Sequence, residues 1–227
     1  FPGHENATMR ETETLGPVPE GWAVVPFTGI AEVLSGGTPR TTVEEYWNGS
    51  IPFFSPKDMP SSFYVTDTSR YVTEEGVDNC SSELYPKDTV FITARGTVGR
   101  VVMPSRGMAM NQSCYALRGK EGIDQLFVFF SIRSRVRHLR QRAHGAVFDT
   151  IIMSTFKDIY IVRPPKSLIV RFVSVVRPLF DQMLNLIRRN ETLQRTRDLL
   201  LPRLVSGEVA VDIAEAAVGK NDFLPSA

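Results

Sequence analysis

The chain has 227 residues, 26 Lys and Arg against 25 Asp and Glu, and a 42% hydrophobic content. That is room for one domain of about 150 residues plus an extended helix. The composition is ordinary for a soluble globular protein, and no apolar run approaches the roughly 20 residues of a membrane span.

Cys80 and Cys114 form no CxxC pair, which predicts two reduced thiols in a cytoplasmic protein and excludes a disulfide scaffold. A net charge of +1 says little by itself, but its distribution says more. Residues 125–148 contain no acid and hold Arg133, Arg135, Arg137, Arg140 and Arg142. The first sixty residues lean the other way, with Glu and Asp outnumbering Arg and Lys. Such asymmetry suggests one face suited to a polyanion.

In chain order, residues 1–19 are polar and aperiodic, a linker or N-terminal arm ending in turn-prone LGPVPEG. Short β-type runs follow at 22–27 and 30–34, then a sharp turn at SGGTP (35–39) and a buried-strand candidate at 51–54. Thr73 is placed to cap a short helix through about Ser81, with Glu74 and Glu75 favouring its dipole. Residues 88–118 form the clearest β region: a strand at 88–94, a turn at 95–99, a returning strand at 100–103, a brief pairing at 107–110 and a closing strand at 112–117. A helix is predicted over 122–143, with Phe129, Ile132, Val136, Leu139 and Ala143 on one face and Arg133, Arg137, Arg140 and His144 on another. A short turn near 154–157 and a strand at 159–162 lead to Pro164-Pro165, which stops the strand.

From Ser167 to Leu204 the sequence keeps a 3-4 heptad spacing over about five heptads. Phe172, Leu179, Leu186, Leu193 and Leu200 occupy one seam position; Ile169, Val176, Met183, Asn190, Arg197 and Leu204 occupy the other. A helix of this length spans about 57 Å, too long to bury its stripe on one small domain. Val173, Phe180 and Ile187 widen the stripe in the first half only. The first half is therefore expected to meet both its own domain and a partner helix, and the second half a partner alone. A helix folded back entirely on its own domain is the alternative. Asn190 in the seam would fix register, and Pro178 predicts a kink or a second helix starting there. After Gly207 the chain is Ala-rich and weakly acidic, a flexible tail over 209–227.

Several stretches carry a resemblance: LGPVPEGW (15–22), SGGTP (35–39), EYWNGSIPFFSPKDM (45–59), MNQS (110–113), VRPP (162–165) and NETLQRTRDLLLPRLVSGEV (190–209). In this order they resemble one half of a DNA-specificity (S) subunit of type I restriction-modification enzymes. The resemblance implies an α+β target-recognition domain with a mixed or antiparallel sheet (20–165), followed by a long conserved coiled-coil helix (166–208). It also implies sequence-specific recognition of one half of a bipartite duplex target, on a framework that family members share while reading different sequences. A whole subunit has two such units with antiparallel helices, so this chain reads either as a half-sized subunit that dimerises or as the second half of a longer one. Phe1 in place of Met, and LGPVPEGW as the start of a second domain, favour the longer chain. The implied partners are double-stranded DNA, a methyltransferase (M) subunit, a restriction and translocase (R) subunit through the complex, and the second S half. S-adenosylmethionine, ATP and Mg belong to the partner subunits.

Base edges and phosphates call for particular side chains: Arg or Lys for guanine, Asn or Gln for adenine, and further cations for the backbone. Arg133, Arg137, Arg140, Arg142 and His144 are the candidate phosphate contacts; their competing role is a solvated helix face. Arg135 points nearer the apolar side. Arg95 and Arg106, in loops outside the resembling motifs, are the preferred base readers. Lys57, Asn111 and Gln112 are further candidates that lie inside those motifs and have an equal claim to structural roles. The candidate coil interface is Phe172, Val176, Leu179, Met183, Leu186, Asn190, Leu193 and Leu200. No catalytic centre is expected: the sequence carries no Asn-Pro-Pro-Tyr-like signature, no P-loop and no metal-ligand spacing among His4, His138, His144 and the cysteines. A coiled-coil assembly protein whose globular domain binds protein is the competing reading.

Overall fold

In a computed structural model of the chain, residues 7–144 and 150–208 are described, with side chains at all of these but 141–144. They fall into two compact units, one running through Leu184 and one starting at Asn185. The strands are β1 (Met9–Arg10), β2 (Val18–Pro19), β3 (Ala23–Pro26), β4 (Ala31–Ser35), β5 (Trp47–Phe54), β6 (Tyr64–Val65), β7 (Tyr71–Val72), β8 (Val90–Thr93), β9 (Val101–Pro104), β10 (Ala109–Met110), β11 (Cys114–Gly119) and β12 (Tyr160–Arg163). The α-helices are α1 (Glu74–Asp78), α2 (Gln125–His144) and α3 (Lys166–Val205).

A five-stranded sheet ordered β4-β11-β8-β9-β6 forms the centre of the first unit. Its pairings are antiparallel except β6 with β9, which is parallel. Val90, Phe91, Ile92 and Thr93 of β8 are all buried, as suits an interior strand with both faces covered. A three-stranded sheet, β10-β5-β7, lies alongside, and β12 pairs with β3. The architecture is thus α+β with mixed sheets, as the sequence led us to expect.

Apolar clusters fill the first unit, two of them around the sheets. One gathers Phe54, Tyr85, Phe91, Val102, Met108, Met110 and Cys114; the other gathers Trp47, Ile51, Phe53, Val72 and Val77. Burial at the first cluster pushes the Cys114 thiol up to about 12, so it stays protonated, and both cysteines are free. Thr73 caps α1 through its hydroxyl, which accepts from the Gly76 N–H at 3.0 Å. The helix ends at Asp78, earlier than the sequence suggests. In α2, Leu126, Val128, Phe129, Ile132 and Leu139 are fully buried, and the Asp124 carboxylate caps its start by accepting from the Leu126 N–H at 2.7 Å.

The α3 helix is one element across Pro178, which corrects the alternative of a second helix starting there. The proline leaves the Ser174 carbonyl without its helical donor, but both residues are exposed and water can serve that carbonyl. Arg177 and Phe180, on either side, fasten this part of the helix to the domain.

In the first unit, α3 buries Ile169, Phe180 and Leu184 and half-buries Val173 and Val176, a 3-4 pattern facing the domain. Phe180 meets Phe63, Phe129, Phe130 and Tyr64 with ring centroids 5.6–6.2 Å apart. The second unit holds the rest of α3, where Leu186, Leu193, Leu199, Leu200, Leu201 and Leu204 are exposed.

Candidate nucleic-acid interface

The basic run on α2 is placed by the burial of its opposite face. Arg133 and Arg140 lie seven residues apart, two turns along one side of the helix, and both are exposed. The Arg133 guanidinium stacks over the Phe63 ring at 4.3 Å and near Phe129 at 5.3 Å. Arg140 donates from Nε to the Val98 carbonyl at 3.0 Å. Arg100, at the start of β9, donates from Nη2 to the Pro60 carbonyl at 2.8 Å.

These three arginines line one recess of about 280 Å³, shared with Ser61, Ser62, Phe63, Gly99 and Val136, and no carboxylate among the described residues lines it. Gly99 permits the fit: its φ is +76°, and a Cβ there would stand 3.2 Å from both Arg140 Nε and Val136 Cγ1. Arg137 is exposed on α2 outside the recess. Arg135 is half-buried; burial pulls its pKa below the ordinary value, and its Nε has no hydrogen-bond partner among the described residues. Arg142 and His144 lie outside the residues whose side chains are described.

Arg106 follows the far end of β9, six residues along the chain from Arg100. Its Nη2 lies 3.4 Å from Asp67 Oδ1 and 3.1 Å from the Tyr71 hydroxyl, with its guanidinium 5.9 Å from the Tyr71 ring. The Tyr71 hydroxyl also donates to Asp67. Beside them, Arg70 stacks over Trp47 at 3.5 Å, and Asn48 is exposed in a left-handed conformation (φ +59°) at the bulge in β5. Arg95 is exposed in the loop between β8 and β9 and has no hydrogen bond or ion pair to a described residue. Lys57 is exposed on the short turn Pro56–Asp58.

Asn111 and Gln112 sit in a brace between two of the motifs. The Gly36 N–H donates to the Cys114 carbonyl at 3.2 Å, and the Gly37 N–H to the Met110 carbonyl at 3.1 Å. The Thr38 hydroxyl donates to the Gln112 side-chain carbonyl, and Asn111 Oδ1 accepts from the Ser113 N–H at 3.0 Å. A Cβ on Gly36 would fall 2.1 Å from the Asn111 carbonyl oxygen, so only glycine allows this approach. Both side chains thus carry structural hydrogen bonds in addition to any contact they make with a ligand.

The coil candidates divide. Val176 and Met183 are half-buried, while Leu179, Leu186, Asn190, Leu193 and Leu200 are exposed. Phe172 is exposed yet meets Phe130 edge-on at 5.4 Å. Sequence reasoning missed Arg70, Arg100 and Arg177. For Arg70, the arginine following the Ser69 turn gave no hint that Trp47 lay beneath it; for Arg100, only the packing of α2 against β9 reveals the shared recess.

The family model described as Type I restriction modification DNA specificity domain matches residues 19–191. The chain is 30% identical over 191 residues to the type I restriction enzyme MjaIX specificity subunit of Methanocaldococcus jannaschii, covering 82% of this chain and 44% of that protein. It is 28% identical over 195 residues to the HindI specificity subunit of Haemophilus influenzae, covering 85% and 42%. The chain therefore spans less than half the length of these relatives. Among solved structures, the S subunit of a type I restriction-modification system from M. genitalium superposes with a TM-score of 0.61 at 16% identity, covering 82% of this chain and 46% of that one. The HsdS subunit from Thermoanaerobacter tengcongensis gives 0.53 at 17% identity, covering 85% and 46%. At these identities the likeness concerns the fold.

Proposed function

Because the chain belongs to the type I restriction-modification DNA specificity family, we propose that it reads one half of a bipartite duplex target. In this reading, residues 20–165 are the target-recognition domain and α3 is the spacer and docking element. The observation that supports it best is the recess lined by Arg100, Arg133 and Arg140 with no carboxylate among the described residues, together with exposed Arg137 on α2. These are backbone-positioning groups, which fix register without reading sequence. Arg106 and Arg95, with Lys57, Asn111 and Gln112 as further contributors, address base edges. Arg100 and Arg106 flank opposite ends of β9, so one duplex along this edge can take backbone contacts at one end and groove contacts at the other.

The exposed leucines of α3 give a second helix a seam to pack on, supplied by another copy or by the other half of a longer chain, in antiparallel pairing. The methyltransferase subunit docks on this assembly and brings the nuclease and translocase with it. Chemistry, with its S-adenosylmethionine, ATP and Mg, belongs to those partners and not to this chain.

The test is duplex binding as a function of salt. Affinity resting on several phosphates falls steeply between about 50 and 200 mM; no duplex binding, with a coil interaction that changes little with salt, would instead identify a protein-binding assembly module.

A further inference from the structure

We propose that Arg100, Arg133 and Arg140 together form a seat for a single phosphodiester group, three guanidinium forks closing on one anion. The inference rests on the nucleic-acid reading above and deepens it by assigning these arginines to one phosphate instead of three.

The argument starts from charge. Three arginines line one recess, and no carboxylate among the described residues lines it with them. Cations gathered in this way repel one another, in part screened by solvent, and an anion joining them relieves that repulsion. Structural duties account for part of each side chain. Arg133 covers the Phe63 ring, Arg140 reaches the Val98 carbonyl, and Arg100 reaches the Pro60 carbonyl. Each duty uses a ring face or a single N–H, while a guanidinium offers five. The remaining donors are held by rigid anchors before any ligand arrives, and such pre-organisation limits the ordering cost of binding.

Size agrees. A recess of about 280 Å³ is many times the ~30 Å³ share of one water, which suits a tetrahedral oxyanion with part of its hydration. Gly99 adds an independent sign that the geometry is built, since a side chain there would press on Arg140 and Val136. The Ser61 and Ser62 residues line the same space and supply neutral partners for remaining oxygens.

The experiment measures affinity of the full chain for a mixed-sequence duplex across a salt series, for the wild type, for Arg100→Gln, Arg133→Gln and Arg140→Gln singly, and for the triple variant. Each neutralised phosphate contributes about 0.9 to the slope of log affinity against log salt. The triple variant is expected to lose about one such step, and Arg137→Gln on top of it a second. Each single variant is expected to weaken binding roughly tenfold, in line with loss of a charge-assisted hydrogen bond. A triple variant shallower by two steps or more would mean separate phosphates and overturn the seat, as would an Arg100→Gln variant with unchanged affinity. Arg100 is exposed and its side chain is anchored by one hydrogen bond, to the Pro60 carbonyl, so this variant remains informative even if Arg133→Gln loosens the aromatic packing. A wild type that fails to bind duplex at low salt would remove the nucleic-acid reading itself, and the seat with it.

Discussion

Arg177 of α3 clasps Asp124 at the start of α2 through two hydrogen bonds of 2.8 and 2.9 Å from Nη2. The same guanidinium reaches Asp88 from Nη1 at 3.0 Å, and Asp88 in turn accepts from the Tyr64 hydroxyl at 2.9 Å. Burial alone would lower the arginine pKa, but the two carboxylates more than reverse that. The cation is locked in place between the helix and the domain.

Replacing it is therefore costly. Arg177→Met leaves two partly buried carboxylates facing each other without their cation and should destabilise the first unit by about 1–3 kcal/mol. Urea unfolding reads this directly, and a midpoint equal to the wild type's would mean that the aromatic contacts of Phe180 hold α3 without help.

Asp58 should make stability depend on acid. Burial raises its pKa, but hydrogen bonds from Ser69 and Ser55 outweigh this and hold it below the ordinary 3.8. Its carboxylate accepts from Ser55 N, Ser55 Oγ and Ser69 N at 2.7–2.9 Å. With the folded value below the unfolded one, the stabilisation is complete above the unfolded value and disappears as pH falls through the folded one. Asp58→Asn should thus be less stable than wild type near about pH 7, with the gap narrowing towards about pH 3. Denaturant midpoints across that range check it; a constant gap would assign the effect to shape instead of charge.

Gly36→Ala probes the brace. The added methyl would overlap the Asn111 carbonyl at 2.1 Å, and backbone must move to relieve it. A loss of roughly 2–3 kcal/mol is expected, visible as a lowered melting temperature. Unchanged melting would show that the two segments slide apart freely.

Leu186→Glu with Leu193→Glu addresses the seam. These side chains are 49% and 66% exposed, so their replacement should leave the fold of the domain within about 0.5 kcal/mol of wild type. Self-association of the isolated chain, followed by sedimentation, should be abolished. Persistence of a dimer in this variant would move the pairing surface elsewhere.

Arg137→Glu with Arg140→Glu should weaken binding to every duplex, whereas Arg106→Ala should relax preference at one base position. The Arg106–Asp67 pair is half-exposed on both sides, worth at most ~1 kcal/mol, so the arginine can leave it for a guanine at little cost. Asp67→Ala should accordingly keep or raise affinity. A uniform loss from both arginine changes, measured on a panel of substituted sites, would refute this division of labour.

Much of the frame was legible in the sequence because it follows from periodicity and capping. The continuous apolar run at Val90–Thr93, the Thr73 cap and the arginine-free face of α2 all depend on near neighbours along the chain. The heptads announced α3, and the widening by Val173, Phe180 and Ile187 announced that its first half has a second surface to satisfy. Which stripe meets the domain was hidden, because two apolar stripes lie side by side and only the position of Phe63, Phe129 and Phe130 chooses between them. The strands β6 and β7 are two residues each, too short to show alternation. The recess was equally out of reach: Arg100 meets Arg133 and Arg140 through tertiary packing alone.

The brace between Gly36-Gly37 and residues 110–114 is made largely of main-chain atoms. None of its hydrogen bonds uses a side chain from the loops 66–70, 95–98 or 105–107. On the proposed reading, those loops can be rewritten like interchangeable type in a fixed press, acquiring a new lexicon while the casting that holds the letters is left alone.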